Sequence, residues 1–221
     1  MVDLTGDGKL DIAVIHSGSD TLSVFVNNGA GTFAAAVTSV VPRGTRIVAG
    51  DFNGDGKMDL ATSASVVLGV HVLIGTGTAT PKPAVLLSLP SVSAGLVAGD
   101  FNKDGKIDLV AANGPRVSTC LGKGDGTFAA AIHTTIANAA GAPDLIAADW
   151  DNNGSLDLGI NNVPAGQVEL WLSPCDGTFS AAGVVIATAA GVDVLVGDFN
   201  ADGKKDIMTA NALGPRIFLR Q

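Results

Sequence analysis

Five acidic loops recur along this 221-residue chain at an almost constant interval. Each loop has nine residues, with aspartate at positions one and nine, mostly acidic or amide side chains at positions three and five, and glycine at position six. Successive first aspartates are 48, 49, 49 and 49 residues apart. The loops span residues 3–11, 51–59, 100–108, 149–157 and 198–206. Oxygen donors at alternate positions of a glycine-kinked loop are typical of sites for a hard cation, and we predict calcium.

Each loop offers a set of oxygen ligands. We predict side-chain ligands at positions one, three, five and nine, and a carbonyl ligand at position seven. In chain order the predicted ligands are Asp3, Thr5, Asp7, Lys9 and Asp11; Asp51, Asn53, Asp55, Lys57 and Asp59; Asp100, Asn102, Asp104, Lys106 and Asp108; Asp149, Asp151, Asn153, Ser155 and Asp157; and Asp198, Asn200, Asp202, Lys204 and Asp206. Zinc would favour histidine or cysteine, and magnesium would demand stricter octahedral geometry.

The alternative interpretation of these loops is that Asp, Asn and Gly merely make good turns. Five copies of one alternation argue against it. The copies are not equal, however. Thr5 replaces an amide or carboxylate in the first loop, and the fourth loop carries its acid at Asp151 and its amide at Asn153. We therefore expect the second and third loops to bind calcium most tightly and the first most weakly, with up to five ions in all.

The charge of the chain has a local origin. The formal net charge is −8, and 15 of the 21 acidic residues lie in the five loops. An acidic chain would meet nucleic-acid phosphates with the wrong sign, so we expect no nucleic-acid binding. No apolar run reaches the length of a membrane helix, and we expect no membrane insertion. The start of the chain, Met1-Val2, leads directly into the first loop, so we expect no signal peptide here.

Short strands separated by turn residues fill the rest of each repeat. In the third repeat, 95–99 and 109–112 flank the acidic loop, and 116–121 and 129–136 follow after turns rich in glycine and asparagine. A constant period of this length indicates stacked or radial repeats. We predict an all-β fold in which residues 1–221 form one β-propeller, or a fragment of one, with about five four-stranded antiparallel blades. The first and last blades would be incomplete.

Repeated apolar positions predict the core. Loop position two is always large, which indicates a plug beneath the loop; the residues are Leu4, Phe52, Phe101, Trp150 and Phe199. Trp171 shares a third-strand position with Phe25, Leu73 and Cys120, so we interpret it as core rather than as a platform for a sugar. Loop position eight is apolar in four repeats and Lys205 in the fifth, which suggests that the last sheet packs differently.

These loops, preceded by Val-Ala-Gly and followed later by Gly-Asp-Gly-Thr-Phe, resemble FG-GAP/VCBS repeats along nearly the whole chain. That family builds the propeller of integrin α subunits and of many secreted microbial proteins. The resemblance implies calcium in each loop, an extracellular setting, and a role in adhesion or ligand binding, including some lectins. The second repeat departs from the pattern at 75–81, which leaves its outer turn in doubt.

For function, the sequence favours a binding or scaffold module, with carbohydrate or protein as its ligand, over an enzyme. His16, His71 and His133 are scattered, and there is no Gly-x-Ser-x-Gly elbow. Two alternatives stay open: the propeller domain of a secreted polysaccharide-active enzyme, and a purely structural assembly. We expect the incomplete terminal blades to drive self-association through unpaired strand edges. Cys120 and Cys175 lie at different places in their repeats, so we do not expect them to pair.

Overall fold

The computed structural model describes residues 1–64, 66–91, 93, 95–136, 144–162, 167–188, 193–211 and 214–219. Within these ranges every regular element is a β-strand. The strands are β1 Ile12–Ile15, β2 Thr21–Phe25, β3 Asn27–Gly29, β4 Thr32–Phe33, β5 Val37–Val40, β6 Gly44–Gly50, β7 Asp59–Ala64, β8 Gly69–Leu73, β9 Val85–Ser88, β10 Gly95–Gly99, β11 Asp108–Ala112, β12 Arg116–Cys120, β13 Ile132–Thr135, β14 Asp144–Ala148, β15 Asp157–Asn162, β16 Gln167–Leu172, β17 Ser180–Thr188, β18 Asp193–Gly197, β19 Asp206–Asn211 and β20 Gly214–Phe218.

The strands form one antiparallel meander per repeat. The second, third and fourth sheets each have four strands, in the orders β6-β7-β8-β9, β10-β11-β12-β13 and β14-β15-β16-β17. The first sheet has three strands, β1-β2-β5, and so has the fifth, β18-β19-β20. The small hairpin β3-β4 stands apart from the first sheet. The predicted all-β propeller architecture with incomplete terminal blades is confirmed.

Consecutive sheets pack face to face, and the core is divided into four clusters between them. Inner strands of neighbouring sheets lie side by side, with β6 against β10, β10 against β14, and β14 against β18. The cluster between the third and fourth sheets includes Phe101, Ile136, Leu158 and Trp171. Trp171 is only 7% exposed, which confirms its interpretation as a core residue.

The residue at loop position two packs in these interfaces between sheets. Phe52 and Phe101 are fully buried, and each meets a phenylalanine from the outer turn of the next sheet. The Phe52–Phe128 ring centroids are 5.8 Å apart, and those of Phe101 and Phe179 are 5.7 Å apart, both edge to face. Such pairs add about 0.5–1.5 kcal/mol beyond area burial. Phe199, in the last sheet, is 42% exposed.

Loop position eight packs backwards, onto the preceding sheet. A Cβ added to Gly99, the last residue of β10, would lie 2.3 Å from Leu156 Cδ1, and one added to Gly50 would lie 3.2 Å from Ile107 Cγ2. In both places a branched apolar residue at position eight packs closely against an inner strand that ends in glycine. In the fourth sheet that strand ends in Ala148, and the corresponding position eight is Lys205, which is exposed. Where the inner strand ends in alanine, position eight of the next loop is thus an exposed lysine and not a packed apolar residue.

A charged contact also joins sheets that are not neighbours. Arg46 in β6 donates from Nε to Asp144 Oδ1 at 3.0 Å and from a terminal nitrogen to Asp144 Oδ2 at 2.6 Å, across 98 residues of sequence. Bidentate pairs of this kind fix geometry as well as adding energy. The pair ties the inner strand of the second sheet to that of the fourth.

Candidate metal centres and their neighbours

The backbone of each loop follows the kink that the sequence predicts. Glycine at position six has φ between 79° and 84° in all five loops. Position four is also left-handed, which the sequence analysis missed. Gly6 and Gly54 occupy it at little cost, whereas Lys103, Asn152 and Ala201 adopt φ of 61° there. A left-handed alanine is strained, so the loop geometry is held against a local cost at Ala201.

The aspartate at position one organises its own loop by accepting backbone N–H groups. In the second loop Asp51 Oδ1 accepts from Gly54 at 2.8 Å, and Oδ2 accepts from Gly56 at 2.8 Å. The position-six N–H is held in the same way in the other four loops, at 2.8–2.9 Å. These bonds turn the loop around the carboxylate. Asp51 Oδ1 also accepts the Asp55 N–H at 3.2 Å, whereas Oδ2 keeps a second lone pair that can face a cation.

The aspartate at position nine has a structural role that the sequence did not indicate. These five side chains are at most 1% exposed; they are Asp11, Asp59, Asp108, Asp157 and Asp206. In every loop one carboxylate oxygen accepts the N–H of position two, at 2.8–3.0 Å. In the first four loops the other oxygen accepts an N–H from the turn after the third strand, at 2.7–2.9 Å. The carboxylate therefore joins the acidic loop to the outer turn of its own sheet.

A close approach explains the glycine that begins two of those outer turns. A Cβ on Gly75 would lie 2.1 Å from the Met58 carbonyl oxygen, and one on Gly122 would lie 2.2 Å from that of Ile107. Only a residue without a side chain fits there. Glycine accompanies the contact in these two repeats, whereas Asn27 and Ser173 donate the equivalent N–H in the first and fourth repeats.

Burial and hydrogen bonding shift the pKa values of the loop carboxylates in opposite directions. Burial raises the pKa of Asp59, Asp108 and Asp157, although their backbone N–H donors pull it down. At position five the environment is different, because a hydrogen bond from the Lys9 side chain lowers the pKa of exposed Asp7. A nearby positive charge would therefore favour the charged form of Asp59, Asp108 and Asp157, which burial disfavours.

Lysine at position seven pairs with the carboxylate at position five of the same loop. The N–O distances are 2.8 Å for Lys9–Asp7, 3.8 Å for Lys57–Asp55 and 3.4 Å for Lys106–Asp104. The sequence predicted only the carbonyls of these lysines as metal ligands. Their ammonium groups are additional: they partly neutralise one predicted ligand in each of the first three loops.

The fourth loop concentrates its carboxylates. Asp149, Asp151 and Asp157 bring ligand atoms within 4.8 Å of one another, and this is the one such acidic group among the residues with described positions. Asp149 Oδ1 is buried and has no hydrogen-bond partner. Three carboxylates at this spacing repel one another, and the donors are the hard oxygens that calcium takes. The residues present therefore fit a calcium ion.

The structure places all 25 predicted ligands in the five loops: the last four loops each join an inner strand to the second strand of their sheet, and the first loop precedes β1. Within the part of the chain that the structure describes, three carboxylates come together in one cluster in the fourth loop only. The order of affinities among the loops stays a prediction.

The three histidines and the serines beside two of them are the remaining side chains that could take part in catalysis. His133 Nδ1 lies 2.8 Å from Ser118 Oγ, and His16 Nε2 lies 2.9 Å from Ser23 Oγ. Ser118 is fully buried, so it is not placed to attack a substrate. His71 is buried, its Nδ1 has no partner, and burial lowers its pKa. Its surroundings therefore disfavour the charged form.

Both cysteines are free, as expected, and Cys120 is buried. Burial raises the pKa of its thiol to about 12. A thiol held neutral in this way is inert, so Cys120 contributes packing rather than reactivity. Within the described residues, no helix has the length and apolar character needed to cross a membrane.

Comparisons with known proteins agree with this architecture. The family model described as "FG-GAP-like repeat" matches residues 3–62 and 100–160, which is more than half of the chain. No curated protein matches the chain.

Solved structures share the fold at low identity. A lectin from Agrocybe aegerita, described as recognising non-reducing terminal N-acetylglucosamine, is 22% identical with a TM-score of 0.69; the match covers 98% of this chain and 61% of the lectin. BBS1N, solved in complex with ARL6DN, is 11% identical with a TM-score of 0.61, covering 96% and 62%. The chain thus spans less than two thirds of the length of these structures.

Proposed function

This chain belongs to the FG-GAP-like repeat family, and we propose that it is a calcium-binding module of the extracellular space that binds a carbohydrate or protein ligand. The observation that carries the calcium part is the repeated oxygen-donor loop, with the Asp149, Asp151 and Asp157 cluster as its most concentrated copy. Calcium would be held by the loop carboxylates and by the position-seven carbonyls. It would supply positive charge that relieves their mutual repulsion.

The first test is thermal unfolding in calcium, in magnesium and in chelator. A site at ten times its dissociation constant adds about 1.4 kcal/mol, so several filled sites would raise Tm clearly. We expect calcium to stabilise the wild type more than magnesium does. Asp149→Asn should lose part of that gain, whereas Asp125→Asn, outside the loops, should keep it. A Tm that is the same in calcium and chelator would reject the calcium assignment.

Support for a binding role comes from the positions of the side chains that could otherwise act in catalysis. The buried position of Ser118 removes one candidate nucleophile, and the loop carboxylates accept backbone N–H groups and would hold the proposed calcium. The Agrocybe aegerita lectin shares the fold and has a carbohydrate ligand, so glycans are the first class to screen. Because the likeness is in fold alone, it does not choose the sugar.

The second test is a glycan-array screen in calcium, with the same protein in chelator as the control. We expect retention of at least one glycan class that chelator abolishes or weakens. Absence of glycan binding, together with calcium-dependent capture of a defined protein ligand, would favour the protein-binding form of the proposal. Hydrolysis of a polysaccharide by the purified chain would favour the enzyme alternative.

A further inference from the structure

The outer faces of the first and fifth sheets are apolar and exposed. We define the trailing face as the side of the fifth sheet turned away from the fourth, formed by Leu195, Phe199, Met208 and Ile217. Leu195, Met208 and Ile217 are cross-strand neighbours in register. Leu195 is 55% exposed, Phe199 42% and Ile217 53%. Apolar groups clustered in this way mark interaction sites.

The equivalent positions in the second sheet are buried against the third. Phe199 matches Phe52 at loop position two, and the Met208–Ile217 pair matches Ala61–Val72. Phe52, Ala61 and Val72 all belong to the core cluster between those sheets. The trailing face is therefore the same surface as one that elsewhere in this chain is a sheet interface.

The opposite end of the molecule presents the other half of that interface. We define the leading face as the side of the first repeat turned away from the second sheet, formed by Ile12, Val14 and Phe25 of the first sheet, Leu10 of the acidic loop and Phe33 of the β3-β4 hairpin. Leu10 is 54% exposed, Val14 37% and Phe33 39%. In the third sheet, by loop and strand position, the corresponding residues are Ile107, Leu109, Ala111, Cys120 and Phe128, and all five pack in the cluster with the second sheet.

We propose that the trailing face of one copy of this chain packs on the leading face of a second copy, head to tail. The template is the interface between the second and third sheets. There, Phe52 meets Phe128 edge to face at 5.8 Å, and Gly126 N–H donates to the Phe52 carbonyl at 2.9 Å. Phe199 of one copy would meet Phe33 of the next in the same way. This contact buries sheet faces, whereas the sequence predicted pairing of strand edges.

A head-to-tail contact uses two different patches, and this gives it a specific signature. Phe33→Asp damages only the leading face, and Phe199→Asp damages only the trailing face. Each variant alone lacks one half of every contact. A mixture of the two still offers one intact trailing face and one intact leading face, so the mixture forms a dimer although neither variant does.

The experiment measures mass by light scattering during size exclusion, with the 221-residue chain in calcium from low to high micromolar concentration. We expect the wild type to exceed its monomer mass of 22.0 kDa as concentration rises. Each variant should stay monomeric, and the equimolar mixture should reach twice the monomer mass. Val85→Asp, at a site 67% exposed on the second sheet, is the control and should behave as wild type.

Three results would overturn the proposal. A wild type that is monomeric throughout would show that these faces are covered by something other than a second copy, such as further sheets of a longer chain. Disruption by only one of the two substitutions would indicate a symmetric contact between like faces. Failure of the mixture to associate, with both variants retaining wild-type circular dichroism and unfolding, would exclude the head-to-tail arrangement.

Discussion

The second and fourth loops carry the same number of aspartates but arrange them differently. In the second loop the third acid is Asp55, which is exposed and lies 3.8 Å from the Lys57 ammonium. In the fourth loop the third acid is Asp151, which lies in the cluster with Asp149 and Asp157. Ser155 stands where the second loop has Lys57, and its hydroxyl donates to Ser173 Oγ at 3.3 Å inside the protein.

This difference shows that counting acidic residues is not enough to rank the loops. A carboxylate with a lysine beside it has part of its charge neutralised before any cation arrives. Three carboxylates close together without a lysine in their own loop repel one another and gain more from a divalent ion. The sequence-based ranking placed the second and third loops first. Because the fourth loop holds the carboxylate cluster, its calcium affinity is the one to compare with those of the second and third loops.

The largest expected effect is on stability, and it comes from replacing the position-nine aspartate, which is present in both loops. Asp59→Ala and Asp157→Ala each leave two buried N–H groups without an acceptor, so we expect each to reduce the free energy of unfolding by about 3 kcal/mol. The loss should appear in chelator as well as in calcium, measured by urea denaturation. Asp55→Ala is the matched control, because it removes an exposed ligand and should matter in calcium alone. Equal stability of Asp157→Ala and wild type in chelator would refute the structural role.

An intermediate effect is expected from exchanging position three between the two loops. Asp151→Asn removes a charge from the cluster, and Asn53→Asp adds one to the second loop. Calcium affinity depends on ligand charge, so we expect changes of about tenfold, weaker for Asp151→Asn and tighter for Asn53→Asp. Calorimetric titration of both variants and the wild type would measure them. Tighter calcium binding by Asp151→Asn, or weaker binding by Asn53→Asp, would mean that repulsion between carboxylates in the empty loop does not govern the affinity.

The smallest effect should come from a residue of the neighbouring loop. Lys103 donates from Nζ to the Asn153 carbonyl at 2.6 Å and so brings a positive charge to the fourth loop. We expect Lys103→Gly to tighten calcium binding there about two- to fivefold, because the competing charge is lost. Lys103→Arg keeps the charge and should leave the affinity near that of the wild type. If glycine and arginine behave alike in the titration, the ammonium does not influence the fourth loop.

The sequence predicted a large part of this architecture because the repeats can be compared with one another. Glycine at loop position six appears in all five copies, and its φ is positive in all five. The apolar residue at position two is buried in four loops and is partly exposed in the fifth, at Phe199. Strand order in the second to fifth sheets also followed from the sequence, because each of their strands pairs with its neighbour along the chain; in the first sheet β2 pairs with β5 instead, past the β3-β4 hairpin.

Side-chain contacts, both within a loop and between repeats, were not predictable in the same way. The lysine of position seven could be assigned a carbonyl from its place in the loop, but its ammonium contact with position five depends on how the side chain folds back. Position eight was recognised as apolar, yet its packing on the preceding sheet, as for Leu156 against Gly99, becomes visible only when two sheets are placed together.

By itself the sequence determined the period, the acidic loops, the strands that flank them and the left-handed glycine, because each depends on residues a few positions apart. The tertiary structure alone decided which buried N–H groups the position-nine aspartates accept, that Lys103 reaches the fourth loop, and that Arg46 pairs with Asp144 across 98 residues. The physical reason is that the aspartate contacts depend on how the outer turn folds back onto the loop of its own sheet, whereas the Lys103 and Arg46 contacts depend on the rotation from one sheet to the next. That rotation is set by the packing of whole sheet faces, which no local spacing encodes.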